Sequence, residues 1–291
     1  MRIGIIGAGR VGCSLALALS QRRVPIAGIY SRSAASAEFA AQAVRCRSFD
    51  SLKELVDAGD ILFITVPDTA IAPVAREIAQ LTGEAGLSGK VFLHCSGALS
   101  SGVLDCIRKA GGAVGSLHPI QTFPDRRDSW ESMYGICFGF EGMSGAEAAA
   151  AEIVSLLGSS MLKVDEGAKS LYHAAACILS NYMVTLSHTA ARMLECAGID
   201  REAGIRAFAP LLRSTVENIS RLGSVEALTG PISRGDAGTV AAHLEAMEKM
   251  LPDEAELYKS LGRSTVLLAL EKGTIDEDRA QVLMGLFGGF E

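Results

Sequence analysis

Ile3-Gly-Ile-Ile-Gly7-Ala8-Gly9-Arg10-Val11-Gly12 decides how the rest of the chain is read. The run Arg2–Ile6 before the glycines is short, branched and apolar, as a buried strand is. G-x-G-x-x-G follows it at once, and a helical period over Val11–Gln21 follows the glycines. Each glycine at this spacing has its own use. Gly7 permits a tight turn, Gly9 lets the backbone approach a pyrophosphate, and Gly12 lets helix and strand pack closely. Ala8, Arg10 and Val11 complete a loop that leads into a helix N-terminus, where free N–H groups and a partial positive charge suit phosphate. The motif is weak alone, and its place between a strand and a helix gives it meaning.

The same alternation continues outward from this turn. Ile26–Tyr30, Ile61–Val66, Val91–Cys95, Ala113–Leu117 and Ile136–Phe140 read as strands bounded by Gly, Pro, Ser or Asp. Ala34–Ala43, Leu52–Ala58, Ala70–Leu81 and Ser101–Ala110 read as the helices between them. This pattern predicts a parallel sheet covered on both faces. After a last strand-like run at Met161–Val164 the period is helical, broken at Gly198-Ile-Asp, Thr229-Gly-Pro, Leu251-Pro-Asp and Lys272-Gly-Thr, with Asp253 and Asp276 expected as N-caps. The expected class is α/β: a Rossmann-type parallel-sheet domain over residues 1–165, then an all-α domain over 166–291.

The end of the second strand selects the dinucleotide. An NAD site needs Asp or Glu there to accept from the ribose 2′-OH. The chain has Tyr30-Ser31-Arg32-Ser33, and the nearest carboxylate, Glu38, falls inside the next helix. Two hydroxyls and a guanidinium suit a 2′-phosphate that a carboxylate would repel. NADP is therefore the expected cofactor, held by Gly7 to Gly12, by Ser31, Arg32 and Ser33, and by Val66-Pro67 at a neighbouring strand end.

Composition narrows the function classes. The chain has 291 residues, 49% of them hydrophobic, with 27 Lys+Arg against 33 Asp+Glu and a formal charge of −6. That balance gives no basic face for nucleic acid. The mean hydropathy is +0.28, yet the longest apolar stretch, Leu171–Leu194, carries His173, Asn181, His188 and Arg192. It reads as a buried helix rather than a membrane span, and the glycine-punctuated N-terminus does not read as a signal peptide. The 7 cysteines lie scattered without a C-x-x-C pair, which fits reduced core thiols in the cytoplasm and no metal site.

Chemistry is expected at the carboxyl ends of the strands. Val66-Pro67-Asp68, His94-Cys95-Ser96-Gly97 and Leu117-His118-Pro119 lie there, with Ser96 and His118 best placed for a substrate and Asp68 read as a helix cap. Lys169 and His173 share one face of the following helix, while Asn181 is about 120° away from it. Reduction of C=O builds negative charge on oxygen, and a nearby Lys or His can supply the proton. Catalysis is thus assigned to Lys169 as general acid with His173, His118 and Ser96. Substrate binding is assigned to Asn181 and to Arg234 in Gly-Pro-Ile-Ser-Arg-Gly-Asp. Other signatures fail: Val91 follows Gly89-Lys90 where a phosphate loop needs a hydroxyl, and neither H-E-x-x-H nor G-x-S-x-G occurs.

The glycine fingerprint, Val-Pro-Asp, His-Cys-Ser-Gly, His-Pro-Ile-Gln-Thr-Phe and Gly-Pro-Ile-Ser-Arg-Gly-Asp occur together here. As a set they resemble a little-characterised bacterial family of provisionally named NADP oxidoreductases, whose members join a Rossmann-like domain to a helical C-terminal domain of unknown function. The layout is more distantly similar to ketopantoate reductase, pyrroline-5-carboxylate reductase and the β-hydroxyacid dehydrogenases. In the β-hydroxyacid enzymes a helix carries Lys and then Asn four residues on; Lys169 matches the first and His173 stands in place of the second. The resemblance implies the fold, NADP and, by analogy with relatives that dimerise through the helical domain, a homodimer. The cations Arg32, Lys169 and Arg234 suit a phosphorylated dinucleotide and a small anionic substrate. Three functions follow: reduction of a ketopantoate-like 2-keto acid or related carbonyl, reduction of a cyclic imine, or non-catalytic NADP binding.

Overall fold

The structure is a computed structural model that describes residues 1–83 and 86–289. The chain divides into two compact units, Met1–Leu179 and Ser180–Glu291.

The first unit is built on one eight-stranded sheet. Its strands are β1 (Ile3–Ile6), β2 (Ile26–Tyr30), β3 (Ser48–Phe49), β4 (Ile61–Ile64), β5 (Val91–His94), β6 (Ala113–Pro119), β7 (Cys137–Gly142) and β8 (Ser160–Lys163), in the spatial order 3-2-1-4-5-6-7-8. Pairing is parallel throughout except for β7, which runs antiparallel to β6. The expected parallel sheet is present, and its one antiparallel pair has a simple reason. A parallel return needs a long crossover, usually a helix, and the connection from β6 to β7 holds only a short 3-10 turn, Ser129–Met133.

Alternation along the strands sorts side chains into two layers. Ile61 and Phe63 join one core with α1 (Arg10–Gln21), α2 (Ala34–Val44) and a later helix, whereas Leu62 and Ile64 join a second. That second core is completed by α3 (Leu52–Ala58), α4 (Asp68–Thr82) and α5 (Asp105–Lys109). Burial on both faces explains why the strands read as unbroken apolar runs. The alanine run at Ala146–Ala151 lies in α6 (Ser144–Leu156), a helix absent from the sequence-based expectation; Ala146, Ala150 and Ile153 form its buried stripe.

α7 (Lys169–Leu179) ends the first unit. The single long helix expected from residue 169 onward is interrupted at Ser180 (φ −116°, ψ −69°), and α8 (Asn181–Cys196) starts anew.

The second unit continues with α9 (Arg201–Leu222), α10 (Ser224–Ala227), α11 (Ala237–Met250), α12 (Pro252–Lys272) and α13 (Glu277–Leu286). Its core gathers Val240, Leu244, Val266, Ala269, Leu283 and Phe287 from the last three helices and the segment after them. Asp200, Asp236 and Asp276 cap their helices by accepting from Ala203, Thr239 and Arg279 N–H. Asp253 does not cap. Pro252 opens α12, where its missing N–H costs nothing, so Leu251 is the cap and Asp253 lies in the first turn. Among the described residues no helix is long and apolar enough to cross a membrane.

Candidate active site

The sheet order reverses between β1 and β4, the switch point at which open α/β sheets bind ligands. Gly7 turns the chain there with φ +111°, and a Cβ on it would stand 2.9 Å from the Thr65 carbonyl. A Cβ on Gly12 would stand 2.2 Å from the Gly7 oxygen and 2.4 Å from Thr65 Oγ1, so α1 can lie this close only with glycine. Thr65 Oγ1 donates to that same Gly7 oxygen at 2.7 Å and locks the turn. Gly9 differs. The nearest atom to a Cβ on it would be the Thr65 oxygen at 3.8 Å, so packing within the protein does not demand glycine there. Gly9 also caps α1 without a side-chain bond, and no acidic residue stands in the first turn. The first N–H groups of the helix thus lack intrahelical partners, as a phosphate site requires.

Ser31, Arg32 and Ser33 follow β2. Arg32 is exposed, and Ser33 caps α2 by accepting from Ser36 N–H at 3.3 Å, which leaves its own hydroxyl proton free. Glu38 lies within α2. Val66 and Pro67 join β4 to α4, and Val66 Cγ1 would be 3.0 Å from a Cβ on Gly7.

A polar cluster stands at the ends of β5 and β6, and Ser96, His118, Lys169 and His173 all belong to it. Lys169 is 2% exposed. Its Nζ donates to the Ser96 carbonyl at 3.1 Å and to Ser116 Oγ at 2.8 Å. Burial lowers its pKa from the ordinary lysine value, against the opposing pull of Glu141, Asp68 and Cys95. Glu141 is itself buried on β7, opposite Ser116 in the ladder, and accepts from Ser101 N–H and Oγ at 2.6 Å each.

Ser96 is held from several sides. Its Oγ donates to Asp68 Oδ2 at 2.7 Å and accepts from Ala98 and Leu99 N–H. Asp68 is therefore a partner of Ser96 rather than the helix cap expected from sequence; Pro67 occupies the cap position. Ser96 N–H donates to His94 Nδ1 at 3.2 Å, so the proton of His94 sits on Nε2 and is donated to the Ser100 carbonyl at 3.1 Å. Burial pushes the pKa of this histidine down to about 4.

His118 and His173 both press on Gly97. A Cβ there would lie 2.5 Å from His173 Nδ1 and 3.0 Å from His118 Nε2. His173 Nδ1 is buried with no hydrogen-bond partner, while Nε2 lies 3.7 Å from Cys177 Sγ. His118 Nδ1 is 2.8 Å from the Tyr172 hydroxyl. Burial first, then the charges of Lys169 and His173, push its pKa down to about 4. Asn181 opens α8 and Arg234 ends a short 3-10 turn in the second unit, both exposed. Among the described residues no three His, Cys, Asp or Glu side chains gather as a metal ion requires.

Thr65, Ser116, Glu141 and Tyr172 were not legible as site residues. Thr65 had a usable signal, being the residue just past a strand at the switch point. Ser116 and Glu141 sit inside strands, where only the antiparallel register brings them together.

Residues 1–119 match the family model described as Rossmann-like domain, and residues 136–265 match Domain of unknown function (DUF2520). Among curated proteins no significant relative matches this sequence. A solved protein of Thermotoga maritima is similar at 26% identity and TM-score 0.71, covering 93% of this chain and 97% of its own. A provisionally named NADP oxidoreductase from Bacteroides fragilis is similar at 25% identity and TM-score 0.71, covering 91% of this chain and 97% of its own. An imine reductase from a Pseudomonas species shares the fold at 17% identity and TM-score 0.66, covering 97% of both chains. A Rossmann-like domain followed by a DUF2520 domain is the architecture of the family that the motifs resemble, and this chain has it.

Proposed function

We propose that the protein is an NADP-dependent oxidoreductase that moves a hydride between the nicotinamide and a small carbonyl or hydroxy acid, with a ketopantoate-like 2-keto acid the first substrate to try. The observation that carries this reading is the segment Thr65–Asp68. Its first two residues pack on the Gly7 turn, and its last accepts from Ser96, so one short segment ties the dinucleotide turn to the polar cluster.

The residues suit the cofactor. The open side of Gly9, the uncapped start of α1 and the absence of an acidic residue in its first turn fit a pyrophosphate. Ser31, Arg32 and Ser33 fit a 2′-phosphate, and the Bacteroides fragilis neighbour carries NADP in its name. NADPH, when bound, supplies hydride to the carbonyl carbon and leaves as NADP. The carbonyl oxygen keeps the former π pair and takes a proton. Two of the three ammonium protons of Lys169 are committed to Ser96 and Ser116; we assign the third to that oxygen, with the lowered pKa of Lys169 easing its release.

Cyclic imine reduction is the second reading, and the shared fold with imine reductases favours it. Charge argues for the carbonyl. A fixed ammonium stabilises a developing alkoxide and repels an iminium cation. NADPH oxidation measured against matched 2-keto acids and cyclic imines separates the two: turnover of the imines alone would overturn the carbonyl reading.

The second unit supports a homodimer. α9 has one buried residue, Gly204, while Phe208, Leu211, Val216 and Leu222 are 49%, 63%, 47% and 46% exposed. An apolar cavity of about 350 Å³ lies between α8 and α9. Apolar residues at this helical spacing form a seam of the kind that pairs helices. Sedimentation tests it: the chain should run as a dimer and its Leu211→Glu variant as a monomer.

A further inference from the structure

We propose that Tyr172 fixes His118 as a neutral imidazole whose Nε2–H donates a hydrogen bond to the reacting oxygen of the substrate. Tyr172 is then a positioning residue of the site. The inference rests on the carbonyl-reducing reading and deepens it by naming the donor.

The two rings come from different elements and meet by construction. His118 is on β6 and Tyr172 on α7, with ring centroids 5.7 Å apart and planes at 90°. The phenol oxygen lies over the backbone of Gly139, where a Cβ would stand 2.3 Å from it. Gly139 is the ladder partner of His118 across β6 and β7. A glycine inside a strand is unfavourable unless something approaches closely. Here it makes room for the hydroxyl to reach the imidazole of the opposite strand residue.

The direction of the bond follows from where the phenol can place its proton. Burial pushes the pKa of Tyr172 up to about 12, so the hydroxyl stays protonated at neutral pH. Among the described residues, His118 Nδ1 is the acceptor within its reach. The reverse direction, Nδ1–H donating to the phenol oxygen, would leave the half-buried O–H without an acceptor among the described residues. Tyr172 therefore donates, Nδ1 accepts, and the imidazole carries its own proton on Nε2.

The surroundings keep that ring uncharged. Lys169 and His173 face it from α7 and oppose a positive imidazole; Asp68 at the start of α4 favours one, and burial outweighs it. Nε2 faces Gly97, a position where any side chain would crowd it. A neutral N–H held in place strengthens its bond as C=O becomes C–O⁻ and keeps its proton throughout. Proton delivery stays with Lys169, so the two groups divide the work of stabilising the oxygen and protonating it.

The test uses the full chain labelled with ¹⁵N, with His118→Gln to assign His118 among the 5 histidines. Proton–nitrogen correlation at pH 7 should show His118 neutral with the proton on Nε2, and Tyr172→Phe should abolish that single tautomer. A proton on Nδ1, or an imidazole that titrates at its ordinary value, overturns the inference. Kinetics add a second arm. Glutamine can donate a hydrogen bond but cannot act as an acid, so His118→Gln should keep kcat within about 10-fold of the parent, whereas His118→Leu should lose about 100-fold or more. Equal loss in both variants overturns the donor role. If no carbonyl is turned over, the functional reading fails, and the labelled spectrum still decides the state of His118.

Discussion

Lys169 Nζ donates to Ser116 Oγ at 2.8 Å, and that bond fixes the first residue of α7 to the middle of β6. The same ammonium reaches the Ser96 carbonyl, to which Ser116 Oγ also donates at 3.1 Å. Residues from β6, β7 and the end of β5 thus meet the first residue of α7 at a single buried cation, with Glu141 across the ladder as its counter-charge.

Replacing Lys169 should cost both chemistry and stability. Removing the cation leaves the buried carboxylate of Glu141 without its counter-charge, so Lys169→Met should lose about 3 kcal/mol or more of stability in a thermal melt. The loss of the proton donor should lower kcat/KM on the best carbonyl substrate by about 100-fold or more. A kcat/KM within twofold in Lys169→Ala would remove the general-acid role.

Two glycines of the fingerprint should respond in opposite ways. Gly12→Ala drives a methyl into the Gly7 oxygen and Thr65 Oγ1, and should cost about 1–3 kcal/mol of stability. Gly9→Ala meets no protein atom closer than 3.8 Å and should leave the melting temperature nearly unchanged. It should nevertheless weaken NADPH binding about 10-fold or more, because it fills the side from which the pyrophosphate approaches. Calorimetry and fluorescence titration on both variants check the pair.

Arg32→Ala should weaken NADPH by about 10- to 100-fold, the worth of a charge-assisted hydrogen bond to phosphate, and leave NADH affinity alone. Equal loss for both cofactors in a binding titration would place Arg32 outside the 2′-phosphate site.

Acid should destabilise the first unit through its buried histidines. Both His94 and His118 have pKa values near 4 in the fold against 6.5 when unfolded. Between those values the unfolded chain takes up protons that the fold refuses, so stability falls as the pH drops from 6.5 to 4. Each histidine should contribute about 3 kcal/mol by the lower limit. Unfolding free energies across that window should show a shallower slope in His94→Gln than in the parent.

Local signals carried most of the first unit. The glycine turn, the apolar strand runs and the lack of a carboxylate after Tyr30 were all legible because each depends on neighbours in the sequence. Ser96, His118, Lys169 and His173 were legible as polar residues at strand ends and on the following helix, and the fold brings those four together. What escaped depends on long-range geometry. Asp68 looked like a cap because its true partner lies 28 residues on. Glu141 and Tyr172 gained meaning only through the antiparallel pairing of β7 with β6, and that pairing follows from a connection without a helix. The interruption at Ser180 has no Pro or Gly to announce it, and the helical period runs through it unbroken.

Transfer of deuterium is the most direct test of the central claim. NADPH carrying deuterium at both C4 positions of the nicotinamide, incubated with the protein and a branched 2-keto acid, should yield a 2-hydroxy acid labelled at the former carbonyl carbon, with one deuterium transferred for each NADPH consumed. Tight binding of NADPH with no labelled product from either keto acids or cyclic imines would contradict the account.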